Sequence, residues 1–366
     1  MQKKQVAVLD VGSSKVTAVV AERGINKTFI IKARYDFKYE GFLDGAFLDI
    51  EELKTVIIKA TEFIKKSMAE FTTLYVGVPG EFTDIFIKES QISFSKKKKI
   101  TEEDVDLLYE SAFVLPSQKY SLINRSAMLY ELSDFRRLAN PVGEVSEILK
   151  GKLSFVLCSN YFTEVIKSAV NVVKPVETEF VSVALAEAMY LLSCDARDRI
   201  AIIVDVGYIS STFTLIQGDG ILFQNSFAYG GGFITASIAE ALGVDFDVAE
   251  DLKRKVNLCK ISSNNYELVE GEDGKLYNAE EIRKIMCSSL DVLCENLSAS
   301  IDKSGYVIPE YVPVLITGGG ISYLRGAIER VSDRLCSTVS VIAPQVPLMD
   351  KPTESSVLSI LDLIFS

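Results

Sequence analysis

Two stretches far apart in the chain carry the same short design. Val6-Ala7-Val8-Leu9-Asp10-Val11-Gly12 is an apolar run that stops on Asp-Val-Gly, and Ile202-Ile203-Val204-Asp205-Val206-Gly207 repeats it. Short apolar runs bounded by a turn signal predict strands buried on both faces. A carboxylate at the end of such a strand is costly unless something uses its charge. Two copies predict two related domains facing each other across a cleft, with a phosphorylated ligand and its metal held between them.

The bulk properties narrow what that ligand meets. The 366 residues allow two domains, or one domain with an insertion, and 48% hydrophobic with 24% charged residues predicts an ordinary globular core. A net charge of −11 argues against broad nucleic-acid binding, which needs a basic surface. The chain has no histidine, which excludes a His-based triad, a His general base and a His-ligated zinc. Cys158, Cys194, Cys259, Cys287, Cys294 and Cys336 form no Cys-x-x-Cys pair, so they read as reduced thiols, mostly buried, in a cytosolic protein. The chain enters its first strand too early for a signal peptide. No run approaches the roughly 18 apolar residues of a spanning helix.

The order of elements can be read coarsely. Gly12-Ser13-Ser14-Lys15 turns the first strand into a second, Val16 to Ala21, so the start is a β-hairpin. Asp49 to Phe71 predicts an amphipathic helix with Leu53, Val56, Ile57, Ala60, Phe63 and Ile64 on one face and Asp49 with Glu52 at its cap. Leu74 to Val78 is a strand closed by Pro79-Gly80. From there to about Phe155 the texture changes to β-rich and polar stretches around a helix capped at Thr101, which predicts a separate small α+β unit. The Lys96 to Lys99 run reads as a solvated loop before that helix, with contact to anionic lipid as the functional alternative. The β/α pattern resumes at Lys152 to Cys158 and the helix Tyr161 to Val173. The second half adds Phe213 to Ile216, Ile221 to Phe227, a helix from Phe233 to Leu242 stopped by Gly243, and a helix near Asp247. It continues with a hairpin over Asn265 to Leu276, a long helix from about Ala279 to Ile301, and the strand Val312 to Thr317.

Three glycine turns carry the chemistry. Backbone amides hold phosphate where glycine lets the main chain approach. Asp10 and Asp205 are placed to face phosphates and to position Mg2+, directly or through water. Ser13, Ser14 and Lys15 offer donors to phosphate oxygens, and Gly318-Gly319-Gly320 opens a helix after a buried strand. Each element alone has a plainer reading. Asp-x-Gly after a strand can be only a turn, and Gly-Gly-Gly only close helix–sheet packing. Lys15 and Lys253 can be surface lysines, and Glu250 can cap a helix begun at Asp247. Order and spacing speak for the shared site.

That order resembles the actin-like ATPase superfamily. An insertion in the first half resembles its FtsA and PilM branch, the bacterial cell-division actin homologues and their pilus relatives. The FtsA-like stretches are Leu9-Asp-Val-Gly-Ser-Ser-Lys15, Ile100-Thr-Glu-Glu-Asp-Val105, Asn140-Pro-Val-Gly143, Tyr229-Gly-Gly-Gly232, Ala249-Glu-Asp-Leu-Lys253 and Ile316-Thr-Gly-Gly-Gly320. The resemblance implies an α/β fold of two actin-like (ribonuclease H-like) domains. The first would comprise 1–76, 156–197 and 344–366, with the insertion at 77–155. The second would comprise 198–228 and 310–343, with a small subdomain at 229–309. It implies ATP and Mg2+ as cofactors, with Asp10, Gly12, Ser13, Ser14 and Lys15 as the first phosphate turn and Asp205 to Gly207 as the second. Gly230, Gly231 and Gly232 would lie near the hinge, Glu250 and Lys253 at the nucleoside, and Gly318, Gly319 and Gly320 at the adenine and ribose. Asp10 and Asp205 would organise metal and water, with slow or no hydrolysis. Implied partners are the tubulin homologue FtsZ or other division proteins, and further copies of the chain in a filament. The resemblance implies that the membrane would be engaged only indirectly, from the cytoplasm at the division site.

The departures are specific. FtsA-type second turns read Asp-Ile-Gly-Gly-Gly-Thr-Thr, whereas here Tyr208 and Ile209 replace two glycines, so backbone approach to phosphates is less free. Ser359 stands where the terminal helix carries glycine. Val357 to Phe365 lacks Lys and Arg and reads as a core-packed helix, not the basic amphipathic anchor of FtsA. Two other readings remain open at this point: a PilM-like scaffold that docks a partner peptide, and a small-molecule kinase of the same superfamily.

Overall fold

The structure is a computed structural model that describes residues 5–25, 28–68, 71–259 and 267–366. The first half contains β1 (Gln5–Val11), β2 (Lys15–Arg23), β3 (Phe29–Lys38), the short β4 (Phe42–Leu43) and β5 (Ala46–Phe47), α1 (Ile50–Ser67) and β6 (Thr73–Val78). An inserted unit follows with β7 (Thr83–Lys99), α2 (Glu102–Ala112), β8 (Tyr120–Leu132), β9 (Arg137–Leu138) and β10 (Val145–Ser159). The first half then closes with α3 (Asn160–Val173), β11 (Glu177–Ser182), α4 (Val183–Leu191) and α5 (Cys194–Arg197). The second half contains β12 (Ile200–Val206), β13 (Ser211–Gln217), β14 (Gly220–Phe227), α6 (Gly231–Leu242), α7 (Phe246–Lys255), β15 (Leu268–Glu270), β16 (Leu276–Asn278), α8 (Ala279–Ser304), β17 (Val314–Thr317), α9 (Ala327–Leu335) and β18 (Val339–Val341). The last helix is α10 (Ser355–Phe365).

The duplication seen in the sequence is a duplication of sheets. One five-stranded sheet has the order β11-β6-β1-β2-β3 and the other β18-β17-β12-β13-β14. In each, the first three strands in sequence run antiparallel as a meander, and two later strands add in parallel on the far side of the first. The shared order and orientation are those of two actin-like domains. The aspartates occupy equivalent register positions: Asp10 lies opposite Thr17 and Gly77, and Asp205 opposite Thr212 and Thr317. Both faces of each central strand are covered, which is why Ala7 to Leu9 and Ile202 to Val204 are buried apolar runs without alternation.

Helix α4 joins the halves. Its residues Val183 to Ala188 are all buried, because Ala188 packs with Ala201, Ile203 and Ile216 of the second half while Ala184 and Leu185 pack with Val156 and Ile221. Helix α10 lies beside it, with Val357, Leu358, Ile360 and Leu361 in the core that covers β1 and β2. The expectation of a core-packed final helix holds. Among the described residues no helix is long and apolar enough to cross a membrane.

Two expectations are corrected here. Lys96 to Lys99 is not a loop: it finishes the long strand β7, with Lys98 opposite Ser146 and Lys99 opposite Val145 across a bulge. Lys98 is tied down by Asp104, which with Thr101 forms the capping box of α2. The inserted unit also has no clean end at Phe155. Strand β10 runs on to Ser159, placing Phe155 in the insertion's core and Cys158 in that of the first domain. The hairpin expected over Asn265 to Leu276 is seen as β15 paired with β16; Asn265 itself lies outside the described residues.

Candidate functional site

The two Asp-Val-Gly turns close in the same way. The Gly12 amide donates to the Lys15 carbonyl at 2.9 Å, and the Gly207 amide donates to the Ser210 carbonyl at 3.0 Å. Both turns and both aspartates line one cavity of about 340 Å3 between the halves. Gly12, Ser13, Ser14, Lys15 and Gly80 line it from the first half, and Gly207, Tyr208, Ser210, Thr212, Gly318, Gly319 and Arg254 from the second. Glycine makes room for each carboxylate. A Cβ on Gly77 would stand 3.1 Å from Asp10 Oδ1, and Gly318, at φ +84°, would drive one into Asp205 Oδ1.

A third carboxylate shares this space. Glu187, on α4, is buried and lines the cavity with Asp10 and Asp205. Burial pushes its proton affinity well above the carboxylate range, and the charges of Asp205 and Asp10 push it further. Asp205 is pushed up to about 6, first by burial and then by Asp10. Asp10 is also raised by burial, against the lowering effect of a hydrogen bond from Ser356 Oγ at 2.7 Å and of Lys15 and Arg34 nearby. Both aspartates keep an edge on the cavity, but the surrounding protein desolvates them. The sequence reading missed Glu187. Its signal was a single acid inside the otherwise apolar Val183-Ala-Leu-Ala-Glu-Ala-Met-Tyr-Leu191.

Helix α10 ties the halves together at its first turn. Ser356 bonds Asp10 of the first half, and Ser355 accepts from Thr317 of the second at 2.6 Å. Beside it, Glu354 pairs with Arg34, which pairs in turn with Asp36 at 3.5 Å. Lys15 lines the cavity, but its ammonium pairs with Asp36 at 2.5 Å.

Other expected site residues stand behind the cavity wall. Gly230, Gly231, Gly232 and Gly320 are not among its lining; they serve close packing. The Gly231 and Gly232 amides donate to the carbonyls of Gly207 and Tyr208 at 3.0 and 2.7 Å, and that of Gly320 to Val206 at 2.7 Å. A Cβ on Gly230 would stand 2.6 Å from the Tyr208 carbonyl. Lys253 is not a surface lysine: it is fully buried, with Nζ 2.6 Å from Glu250, 2.9 Å from the Gly231 carbonyl and 2.8 Å from Thr235 Oγ1. Glu250 does not cap α7, whose cap position is Asp245. It holds Lys253 and Arg254 and accepts from Tyr323. Tyr208 and Tyr323 lie about this lysine, with ring centroids 6.0 and 5.8 Å from its ammonium.

The cavity's donor set suits a phosphate group with a divalent cation. Three desolvated carboxylates with raised proton affinity are short of positive charge, and glycine turns reach them from both halves. Among the described residues no three acidic or cysteine side chains stand close enough to hold a metal unaided, so ligand oxygens or water would complete its shell.

Comparison with known proteins agrees with the architecture. The family model for type IV pilus assembly protein PilM matches residues 162–268. Cell division protein FtsA of Borreliella burgdorferi is 25% identical over 346 residues, 90% of this chain and 83% of that protein. FtsA of Enterococcus hirae is 22% identical over 365 residues, 97% of this chain and 81% of that protein. Among solved structures, the PilM–PilN type IV pilus biogenesis complex superposes with TM-score 0.65 at 16% identity over 99% of both chains. MreB5 of Spiroplasma citri bound to ADP superposes with TM-score 0.55 at 13% identity, over 99% of this chain and 96% of that one. Likeness in sequence along most of the chain, together with the doubled sheet and its facing aspartates, makes this chain an FtsA/PilM-like protein with an actin-like fold.

Proposed function

We propose that the chain is an FtsA-like cytoskeletal adaptor that binds ATP–Mg2+ in the cleft between its halves, assembles with further copies of itself, and engages division proteins such as FtsZ. The observation that carries the reading is the convergence of Asp10 and Asp205, from equivalent strand ends, on one cavity. Support comes from the FtsA relatives and from an MreB fold neighbour whose structure holds ADP. Bound ATP would supply a phosphoanhydride whose γ-phosphoryl group can pass to water. Asp10 and Asp205 would hold the magnesium, directly or through water, and the glycine turns would receive the phosphates. Glu187, buried and facing both, would keep its own proton rather than take one from an attacking water, because burial and the two aspartates raise its proton affinity. Its high proton affinity, and the crowding of the second turn by Tyr208 and Ile209, weigh against turnover. The site is reached from the cytoplasm, and the membrane is engaged through partners.

The test is a fluorescent-ATP titration with and without Mg2+ on wild type and Asp10→Ala. The variant should lose at least tenfold in affinity, roughly 1.4 kcal/mol, with an unchanged circular dichroism spectrum. Equal affinity removes Asp10 from the site. A second reading, a PilM-like scaffold that docks a partner peptide, is favoured by the PilM model match and by the superposition on the PilM–PilN complex. Parallel pull-downs against FtsZ and against pilus-protein N-terminal peptides separate the two.

A further inference from the structure

Where the two turns meet, they touch each other. The Ile209 amide of the second turn donates to Ser13 Oγ of the first at 3.1 Å. The Ile209 side chain reaches the first half at Gly41: a Cβ there would stand 2.7 Å from Ile209 Cδ1 and collide with the Ser13 carbonyl. Gly41 sits at φ +94°, where side chains are strained, so the first half presents a notch the size of a glycine and the second fills it with an isoleucine. The turn that carries Ile209 is itself anchored. The Gly232 amide holds the Tyr208 carbonyl, and the Tyr208 ring meets Phe246 edge-on at 6.5 Å. A grip on Ile209 therefore acts on the whole second domain. Elsewhere between the halves, Gln224 Nε2 bonds the Gly80 carbonyl at 2.9 Å and Thr83 Oγ1 at 2.6 Å, again from the second half to the first.

We propose that Ile209 is a latch that keeps the two halves closed with no ligand between the turns. The inference rests on reading this cleft as a phosphate site. A glycine at 209 would keep the amide bond to Ser13 but leave the notch empty, so a ligand presenting oxygens to both turns would supply most of what draws them together. Here the side chain fills the notch and Ser13 takes the amide. Ligand entry between the turn tips and opening of the cleft then break the same contacts, and closure no longer reports whether a ligand is present.

The experiment uses the full chain without nucleotide, measuring amide hydrogen exchange and the radius of gyration by X-ray scattering for wild type, Ile209→Val, Ile209→Gly and Ser13→Ala. Wild type and Ile209→Val should match. In Ile209→Gly, exchange at residues 11–15 and 207–211 should accelerate on the order of tenfold, with a larger radius. Adding ATP–Mg2+ should return Ile209→Gly toward the wild-type values and leave the wild type unchanged. The latch is overturned if ligand-free Ile209→Gly behaves as wild type, or if the wild type contracts on ATP–Mg2+. Should Ile209→Gly fail to fold, Ser13→Ala decides by the same comparison, acceleration supporting the latch and wild-type exchange overturning it. Failure of both proteins to bind nucleotide would sink the phosphate reading alone, because the ligand-free comparison stands by itself.

Discussion

Three carboxylates that face one another in a desolvated cavity are poised against the fold that holds them. Burial and the charge of Asp10 push Asp205 up to about 6 from an ordinary value of 3.8, so the folded state binds that proton more tightly than the unfolded chain does. The linkage has a definite sign. Its contribution is fully present below about pH 4, shrinks as pH rises, and is lost once pH passes about 6. Asp205→Asn should therefore raise stability at pH 8 by about 1–2 kcal/mol relative to wild type, and the gain should vanish at pH 4. Urea midpoints at the two pH values check it, and a variant less stable than wild type at pH 8 contradicts it. The same residue that makes the apo fold less stable at neutral pH is the one a divalent cation would relieve.

At the scale of elements, the α6–α7 junction is held by a charge pair on α7 whose members bond α6 through Thr235 and the Gly231 carbonyl. Lys253 on α7 reaches the first turn of α6 and is paired with Glu250 one turn back on its own helix. Burial lowers its proton affinity, and the bond to Glu250 works against that. Lys253→Met should cost about 3 kcal/mol, because it leaves Glu250 desolvated with a poorer set of partners. Adding Glu250→Gln should recover part of the loss, with a coupling above about 1 kcal/mol in a double-mutant cycle read from denaturant unfolding. Additive losses would show that Lys253 and Glu250 act on α6 independently of each other.

For the whole molecule, α10 is the piece that closes the design. Its apolar face covers one side of the first sheet, and its first turn touches both halves through Ser356 on Asp10 and Ser355 on Thr317. Removing residues 352–366 should expose Val6, Val8, Val19 and α4 and cost more than about 5 kcal/mol, from the loss of several buried aliphatic side chains. The expected result is a melting temperature lowered by more than about 10 °C, or loss of the cooperative transition. The inserted unit has its own core around Leu108, Leu149, Leu153 and Phe155, so it should keep its exchange protection in the truncated chain. Loss of protection there as well would mean that the insertion depends on the first domain for its order.

Local pattern was enough to read β1, β2, β6, β12, β13, β14 and β17, though not β3, β11 and β18, together with the duplicated turns, the Asp49 and Thr101 caps and the convergence of Asp10 with Asp205. Apolar runs, turn residues and capping side chains act over a few positions and leave a direct trace in the chain. Other assignments depended on partners distant in sequence. Lys96 to Lys99 is polar enough for a loop, yet it extends a strand because β10 offers it a register. Lys253 reads as a surface residue, yet it is buried because Glu250, Thr235 and Gly231 together satisfy its charge. Glu187 carries no motif, and only the packing of α4 between the halves turns it toward the aspartates. Ile209 stands out in sequence only as a missing glycine, and only the fold brings it to the notch at Gly41. The chain by itself determined the strands and helices that local pattern marks; tertiary packing decided whether a polar segment such as Lys96 to Lys99 joins a sheet, which charges are desolvated and which surfaces meet, because these depend on atoms that folding alone brings together.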